Sequence, residues 1–150
     1  MAFYNVNYVD FTGGNLGDGF KAQLQNVPGV RRIPIDLPID RVPVGNDIFY
    51  FQEGGFARQG FRADALILMF TDRARYNEDV LRNIERLERI LPTNKLMIVE
   101  QHAGGRGWTR KCWDDCHYNM LGTNLVQLQI QPLLSVIAEV VYQGWNVNGA

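Results

Sequence analysis

Two short stretches of uninterrupted apolar residues constrain the fold of this chain more than any other feature. They are residues 65–70, ALILMF, and residues 96–99, LMIV. An apolar run of this length without polar alternation is typical of a strand that is buried on both faces, as in a parallel sheet covered by helices. The sequence therefore predicts two central strands of an α/β protein.

The first half of the chain predicts a strand, a helix and a hairpin. Residues 5–11 favour a strand and residues 20–24 favour a helix. Residues 31–37 alternate loosely and contain proline, which indicates an edge strand because proline donates no ladder hydrogen bond. The turn residues VGND at 44–47 lead into a strand at 48–51. We expect the strands at 31–37 and 48–51 to form an antiparallel pair.

The second half of the chain predicts two helices around an irregular region. Apolar residues recur at helical spacing over 77–91, and Pro92 ends that helix. Residues 104–118 are polar and rich in glycine and arginine, which favours irregular structure, and residues 133–142 predict a final helix. We therefore expect a single domain, 1–150, of α/β class. Its sheet should have five or six mostly parallel strands with one antiparallel hairpin strand, and helices on both faces.

Composition excludes several classes of function. The formal net charge is −1, which gives no indication of a nucleic-acid or membrane partner. No apolar run reaches the ~20 residues that cross a bilayer, and the N-terminus lacks the pattern of a secretory signal. We therefore expect an intracellular protein, cytoplasmic or nuclear and not secreted. The pattern Cys112-x3-Cys116-His117 is not a standard zinc spacing, and on a helix the two thiols would only share a face, so we predict no metal.

A glycine-rich stretch, FTGGNLGDGFKAQL at 11–24, lies between the first strand and the first helix. Strand, glycine loop and helix form the context of the phosphate-binding motif G-x-x-x-x-G-K-[ST]. If Gly17 is the second motif glycine, Asp18 takes the lysine position and Gly19 the hydroxyl position. If Gly19 is that glycine, the two positions fall to Phe20 and Lys21. Neither register supplies Lys-[ST], and the stretch is also compatible with a plain strand-to-helix turn.

Four segments together resemble a small Ras-type GTPase, most closely the Ran branch. They are VPGV at 27–30 with the IPIDL that follows, IFYFQEGG at 48–55, DALILMFTDRARYNEDV at 64–80, and GTNLVQLQIQPLLSVIAEVV at 122–141. The resemblance implies a P-loop GTPase-like fold over nearly the whole chain. The resemblance depends on the order and the residue pattern of the strands and helices and not on the invariant motif residues.

The resemblance also implies which chemical groups have been lost. Val27 takes the place of the first-switch threonine, and Gln52 takes the place of the D-x-x-G aspartate. No aspartate lies where the family reads guanine. We therefore expect a pseudo-GTPase without catalysis, cofactor or tight GTP or GDP binding. The vestigial nucleotide-binding residues are Gly14, Gly17, Asp18, Gly19, Phe20, Lys21, Gly55 and Asn124.

Exposed aromatic and arginine residues suggest what such a domain would be retained for. Tryptophan and arginine are enriched at the hot spots of protein interfaces, and the second-switch surface of GTPases meets partner proteins. We therefore expect a protein partner or a homo-oligomer. The interface candidates are Phe56, Arg58, Phe61, Arg62, Trp108 and Trp113.

Two alternative functions are compatible with parts of the sequence. One is a divergent nucleotide-binding switch in which Lys21 reaches a phosphate. The other is a TIR-like signalling or NAD-cleaving domain, in which Glu85 would be the catalytic acid. The apolar stretch IFYFQ, 48–52, argues against the TIR-like alternative because a helix is expected there.

Overall fold

The computed structural model describes residues 1–10, 15–34, 38–54, 63–71, 95–101, 108–113, 116–123 and 130–144. These residues form one sheet of eight strands and two helices. The strands are β1 (Phe3–Asp10), β2 (Arg31–Ile33), β3 (Ile39–Val44), β4 (Asp47–Glu53), β5 (Ala65–Thr71), β6 (Leu96–Gln101), β7 (Trp108–Trp113) and β8 (Cys116–Thr123). The helices are α1 (Asn15–Gln25) and α2 (Ile130–Gln143). The strand order is β2-β3-β4-β1-β5-β6-β8-β7.

The middle of the sheet is parallel. Strand β1 pairs in parallel with β4 on one side and β5 on the other, and β5, β6 and β8 continue in the same sense. The five residues 65–69 of β5 are each no more than 1% exposed, so the strand is buried on both faces. The uninterrupted apolar run predicts this arrangement, and the α/β class with a mostly parallel sheet is confirmed.

The predicted turn at 44–47 is confirmed, but the strand that enters it is different from the expected one. Val44 lies opposite Asp47, and Gly45 has a φ of 60°, the left-handed conformation that a two-residue hairpin turn requires at its first position. The strand that pairs with β4 is β3, which the sequence analysis missed. Strand β2 pairs with β3 and not with residues 48–51, so the expected pairing was wrong.

Proline concealed β3 because a proline inside a run argues against a strand. Pro43 lies opposite Ile48, and the N–H of Ile48 donates to the carbonyl of Ala2 in the opposite direction, at 2.9 Å. The Pro43–Ile48 pair therefore exchanges no ladder hydrogen bond, so the missing donor of proline costs nothing towards β4.

The region predicted to be irregular contains an antiparallel hairpin of β7 and β8. Cys112 lies opposite His117, and Trp113 lies opposite Cys116, so the two cysteines do not lie on one helix. The tryptophan, threonine, cysteine and tyrosine residues of this region favour strands, and this preference outweighs its polarity. The sheet thus has three antiparallel pairs, β2–β3, β3–β4 and β7–β8, and eight strands, where we expected one antiparallel pair and five or six strands.

One face of the sheet packs against both described helices. The core between them is built from alternate residues of the central strands and from the apolar stripes of α1 and α2. Its buried members are Val6, Tyr8, Phe20, Leu24, Val27, Val42, Phe49, Phe51, Ala65, Ile67, Met69, Met97, Ile130, Leu133, Leu134, Ile137, Val140 and Val141. The predicted final helix is confirmed and is slightly longer at each end than its pattern indicates.

The predicted helix at 77–91, which includes Glu85, lies outside the described residues. Helices on both faces of the sheet therefore remain a prediction. Neither of the two described helices has the length and apolarity that a bilayer span requires.

Candidate functional site

The carboxyl ends of β1 and β4 lie beside the start of α1. Asp10 is the last residue of β1, and Glu53 is the last residue of β4. In open α/β sheets, ligands bind outside the carboxyl ends of the parallel strands, often at the N-terminus of the following helix. This edge is therefore where a nucleotide site would lie, and where the glycine-rich stretch predicts one.

An internal carboxylate lies at the N-terminus of α1. The N–H of Gly17 donates to Oδ2 of Asp10 at 3.0 Å. A Cβ atom at position 17 would lie 2.4 Å from that oxygen and 2.9 Å from the Cβ of Asp10, so the close approach requires glycine. The first amides of a helix lack intrahelical partners and carry the positive end of the helix dipole. Asp10 therefore satisfies one of these amides with a negative charge, as a capping residue does.

Neither of the two candidate lysine positions carries a positive side chain that could face a phosphate. Phe20 is fully buried, with its ring edge-on to Tyr8 at 5.0 Å and to Phe51 at 5.7 Å between centroids. Asp18 is exposed on α1, and Lys21 forms an ion pair with Glu53. In the register that ends at Gly19, the lysine position thus belongs to the hydrophobic core.

The two residues that the resemblance aligns with the magnesium ligands of small GTPases have structural contacts. Val27 is 6% exposed and packs in the core directly after α1. Gln52 is half-buried in β4, opposite Asn7 of β1. The buried Asn7 amide donates to the carbonyl of Gly54, and the Gly54 N–H donates to the carbonyl of Tyr8 at 2.8 Å. These bonds attach the end of β4 to the centre of the sheet.

A small cavity of about 170 Å³ opens beside this edge, between α1 and strands β1 to β4. We call it the Tyr8 pocket. The described residues that line it are Tyr8, Lys21, Arg32, Pro38, Asp40 and Glu53. Among these described residues, two positive and two negative side chains surround one phenol.

Asp40 is the buried charge of the Tyr8 pocket, with 2% of its surface exposed. Its Oδ1 accepts hydrogen bonds from Nε of Arg32 at 3.0 Å and from Nε2 of Gln25 at 2.6 Å. Its Oδ2 accepts a bond from Nη2 of Arg32 at 3.1 Å, which makes the arginine contact bidentate. The hydrogen bond to Asp40 raises the pKa of Arg32 above its ordinary value.

Tyr8 contributes the only hydroxyl group among the described residues that line the pocket. The residue is 2% exposed, and no described residue forms a hydrogen bond with its hydroxyl. Burial, and then the nearby charges of Glu53 and Asp40, raise the pKa of Tyr8. Its phenol therefore stays protonated at physiological pH.

The sequence analysis did not identify this pocket. Tyr8, Arg32 and Asp40 lie on three different strands, and their proximity depends on the β2–β3 pairing that the proline residues concealed. One signal was available, since Asp40 shares its strand phase with the buried Val42 two residues later. A carboxylate at a strand position whose side chain faces the core is expected to pair with a positive charge.

The other predicted site residues are only partly covered by the structure. Gly19 lies on α1, and the backbones of Trp108 and Trp113 form the two ends of β7, the last strand in the sheet order. Seven predicted residues lie outside the described residues, namely Gly14, Gly55, Phe56, Arg58, Phe61, Arg62 and Asn124. Within the described part of the chain, no group of three His, Cys, Asp or Glu side chains is arranged to hold a metal ion.

The chain matches none of the protein-family models, and none of the curated proteins, with which it was compared.

Proposed function

We propose that this protein is a non-catalytic protein-interaction or structural module, built on a Ran-like small-GTPase fold whose phosphate site has been converted into a structural contact. The observation that carries the proposal is the bond between Asp10 and the Gly17 N–H. In a phosphate-binding loop, the corresponding helix amides face the anionic ligand. Here a carboxylate of the protein occupies that position.

The negative charge of Asp10 at the start of α1 opposes the binding of a triphosphate. Two like unit charges at ~4 Å repel each other by about 4 kcal/mol at an effective dielectric constant near 20. A phosphate at the start of α1 would meet the carboxylate of Asp10, with no lysine in compensation, because Lys21 pairs with Glu53. The buried Phe20 ring leaves no room for a charged group at the alternative register.

The sheet supports the GTPase-like part of the proposal. The resemblance requires an antiparallel hairpin between the first helix and the second parallel strand, and doubly wound flavodoxin-like sheets do not usually contain one there. Strands β3 and β4 form such a hairpin, and β4 lies in parallel beside β1. The strand conformation of residues 48–52 also disfavours the TIR-like alternative, which needs a helix at that place.

Calorimetric titration with GTP and magnesium tests the proposal. We expect a dissociation constant weaker than roughly 100 µM, which corresponds to a binding free energy weaker than about −5.5 kcal/mol. The Asp18→Lys variant restores a lysine at one register and is the matched control. Because Asp10 still occupies the helix N-terminus, we expect this variant not to recover tight binding. Micromolar binding of GTP by the unmodified protein would contradict the proposal.

A further inference from the structure

The Tyr8 pocket contains an unsatisfied polar group in a buried position. A phenol hydroxyl that is withdrawn from water loses free energy unless another group hydrogen-bonds to it. Tyr8 is 2% exposed, and none of the described residues supplies that bond. The pocket is open to solvent at its charged rim, where the side chain of Lys21 is 33% exposed and those of Arg32 and Glu53 are each 44% exposed. An external polar group can therefore reach the hydroxyl.

The size of the pocket limits the ligand. A volume of about 170 Å³ holds roughly six water molecules at ~30 Å³ each. Sites for drug-sized ligands and cofactors are typically ~300–1,000 Å³. The Tyr8 pocket is thus too small for a nucleotide and suits the end of a single side chain or a molecule of similar size.

The charges around the hydroxyl favour a positive ligand over a negative one. The two positive side chains of the pocket already have carboxylate partners. Arg32 forms a bidentate contact with Asp40, and Lys21 pairs with Glu53. Burial is the main cause of the raised pKa of Tyr8, and the charges of Glu53 and Asp40 raise it further while Arg32 lowers it. Among the described residues, Oδ2 of Asp40 accepts one hydrogen bond, from Arg32, although a carboxylate oxygen can accept two.

We propose that the Tyr8 pocket binds the cationic tip of a basic side chain, an arginine or lysine of a partner protein, through the Tyr8 hydroxyl and the Asp40 carboxylate. This inference depends on the proposed interaction function and names the chemistry of the partner group. The cation donates to the phenol oxygen and to Oδ2 of Asp40, while its apolar stem lies along Pro38 at the rim. A free guanidinium or alkylammonium ion offers the same donors without the affinity that a protein surface adds.

Nuclear magnetic resonance titration of the intact protein with methylguanidinium and with methylammonium tests this inference. We expect saturable shift changes at the lining residues, with millimolar affinity, against a sodium chloride titration at equal ionic strength. The Tyr8→Phe variant keeps the ring in the core and removes only the hydroxyl, so the affinity should fall roughly fivefold to tenfold. The matched control is Tyr4→Phe, which alters a half-buried tyrosine of the same strand outside the pocket and should leave the affinity unchanged.

Three results would overturn the inference: shift changes no larger than those in sodium chloride, equal affinity in the Tyr8→Phe variant, or preferential binding of inorganic phosphate at the same residues. None of these results depends on nucleotide binding at α1. A chain that binds neither GTP nor methylguanidinium would retain the proposed interaction function and lose only the pocket assignment. A chain that binds GTP at micromolar concentration would lose the proposed function whatever the cation titration shows.

Discussion

Replacement of Gly17 by alanine tests the contact between Asp10 and α1 most directly. In an ordinary helix interior, alanine in place of glycine stabilises a protein by about 1 kcal/mol. Here the new Cβ would lie 2.4 Å from Oδ2 of Asp10 and 2.9 Å from its Cβ. The second distance matters more because a Cβ atom is fixed by the backbone and cannot rotate away. We therefore expect the usual sign of this substitution to be reversed.

The expected size of the effect follows from three contributions. Insertion of a methyl group into a filled position costs about 1–3 kcal/mol. Displacement of the Asp10 carboxylate weakens its bond to the Gly17 N–H, and a hydrogen bond to a charged group contributes about 1.5–3 kcal/mol, less here because Asp10 is half-exposed. After subtraction of the gain in helix propensity, the Gly17→Ala variant should be about 2 kcal/mol less stable than the natural sequence.

Urea unfolding followed by circular dichroism measures this change. With a typical slope of about 2 kcal/mol per molar urea, the midpoint should fall by about 1 M. The Ala22→Gly variant, on an exposed position of the same helix, calibrates helix propensity and should cost only about 1 kcal/mol. The Gly17→Ala substitution should cost less in an Asp10→Ala background, where the Oδ2 and Cγ contacts are gone but the Cβ contact remains. A Gly17→Ala variant as stable as the natural sequence, or more stable, would refute the reasoning.

Three further predictions concern the core, the bond between Tyr142 and Asp47, and the predicted interface. Phe20→Ala should cost about 3–5 kcal/mol in urea unfolding because the ring is fully buried, whereas Asp18→Ala should change stability by less than about 0.5 kcal/mol; similar effects would show that α1 is packed differently. The hydroxyl of Tyr142 donates to Asp47 at 2.6 Å, which raises the pKa of Tyr142 to about 12 and lowers that of Asp47 below 3.8. The bond therefore stabilises the folded protein between pH 3.8 and pH 10.0, the ordinary pKa values of the two groups. This stabilisation is lost as the pH rises towards 12 or falls below 3.8. Melting curves of Tyr142→Phe should therefore differ most from the natural sequence near neutral pH, and a pH-independent difference would exclude the bond as its cause. Trp108→Ala should weaken association by at least ~2 kcal/mol in sedimentation equilibrium or partner titration without unfolding the monomer, and undiminished association would remove this residue from the interface.

The parts of the fold that were predictable are those that local sequence pattern decides. Strands β5 and β6 follow from uninterrupted apolar runs, and α2 follows from an apolar stripe at helical spacing. The turn at Gly45 follows from residue chemistry that few other conformations require. In each of these elements, burial and local preference favour the same structure.

The missed elements are those in which tertiary pairing overrides a local signal. Strand β3 contains Pro43, which is acceptable only because the opposite residue, Ile48, directs its N–H to the carbonyl of Ala2. Strands β7 and β8 are polar and gain their order from each other and from β6. No single-segment pattern carries that information.

The candidate site shows the same division. The glycine-rich stretch predicted a loop that is followed by a helix at 20–24, whereas α1 begins at Asn15, so Gly17 and Gly19 lie within the helix. The role of Asp10 was not predictable, since its contact with Gly17 depends on how the chain between them closes. The Tyr8 pocket joins residues from β1, α1, β2, β3 and β4, and such a meeting is a property of the folded chain alone.

The position of α2 in the chain has a consequence for synthesis on the ribosome. Six of the buried core residues belong to α2, which follows all the described strands along the chain. Until α2 has left the exit tunnel, only α1 among the described elements can cover the apolar side chains of β1, β4 and β5 on the face of the sheet that α2 covers. The nascent chain therefore exposes apolar surface until α2 packs, a state in which chaperones bind. Substitutions that weaken the packing of α2 should therefore lower the yield of soluble protein in cells, even where protein that has already folded loses little stability.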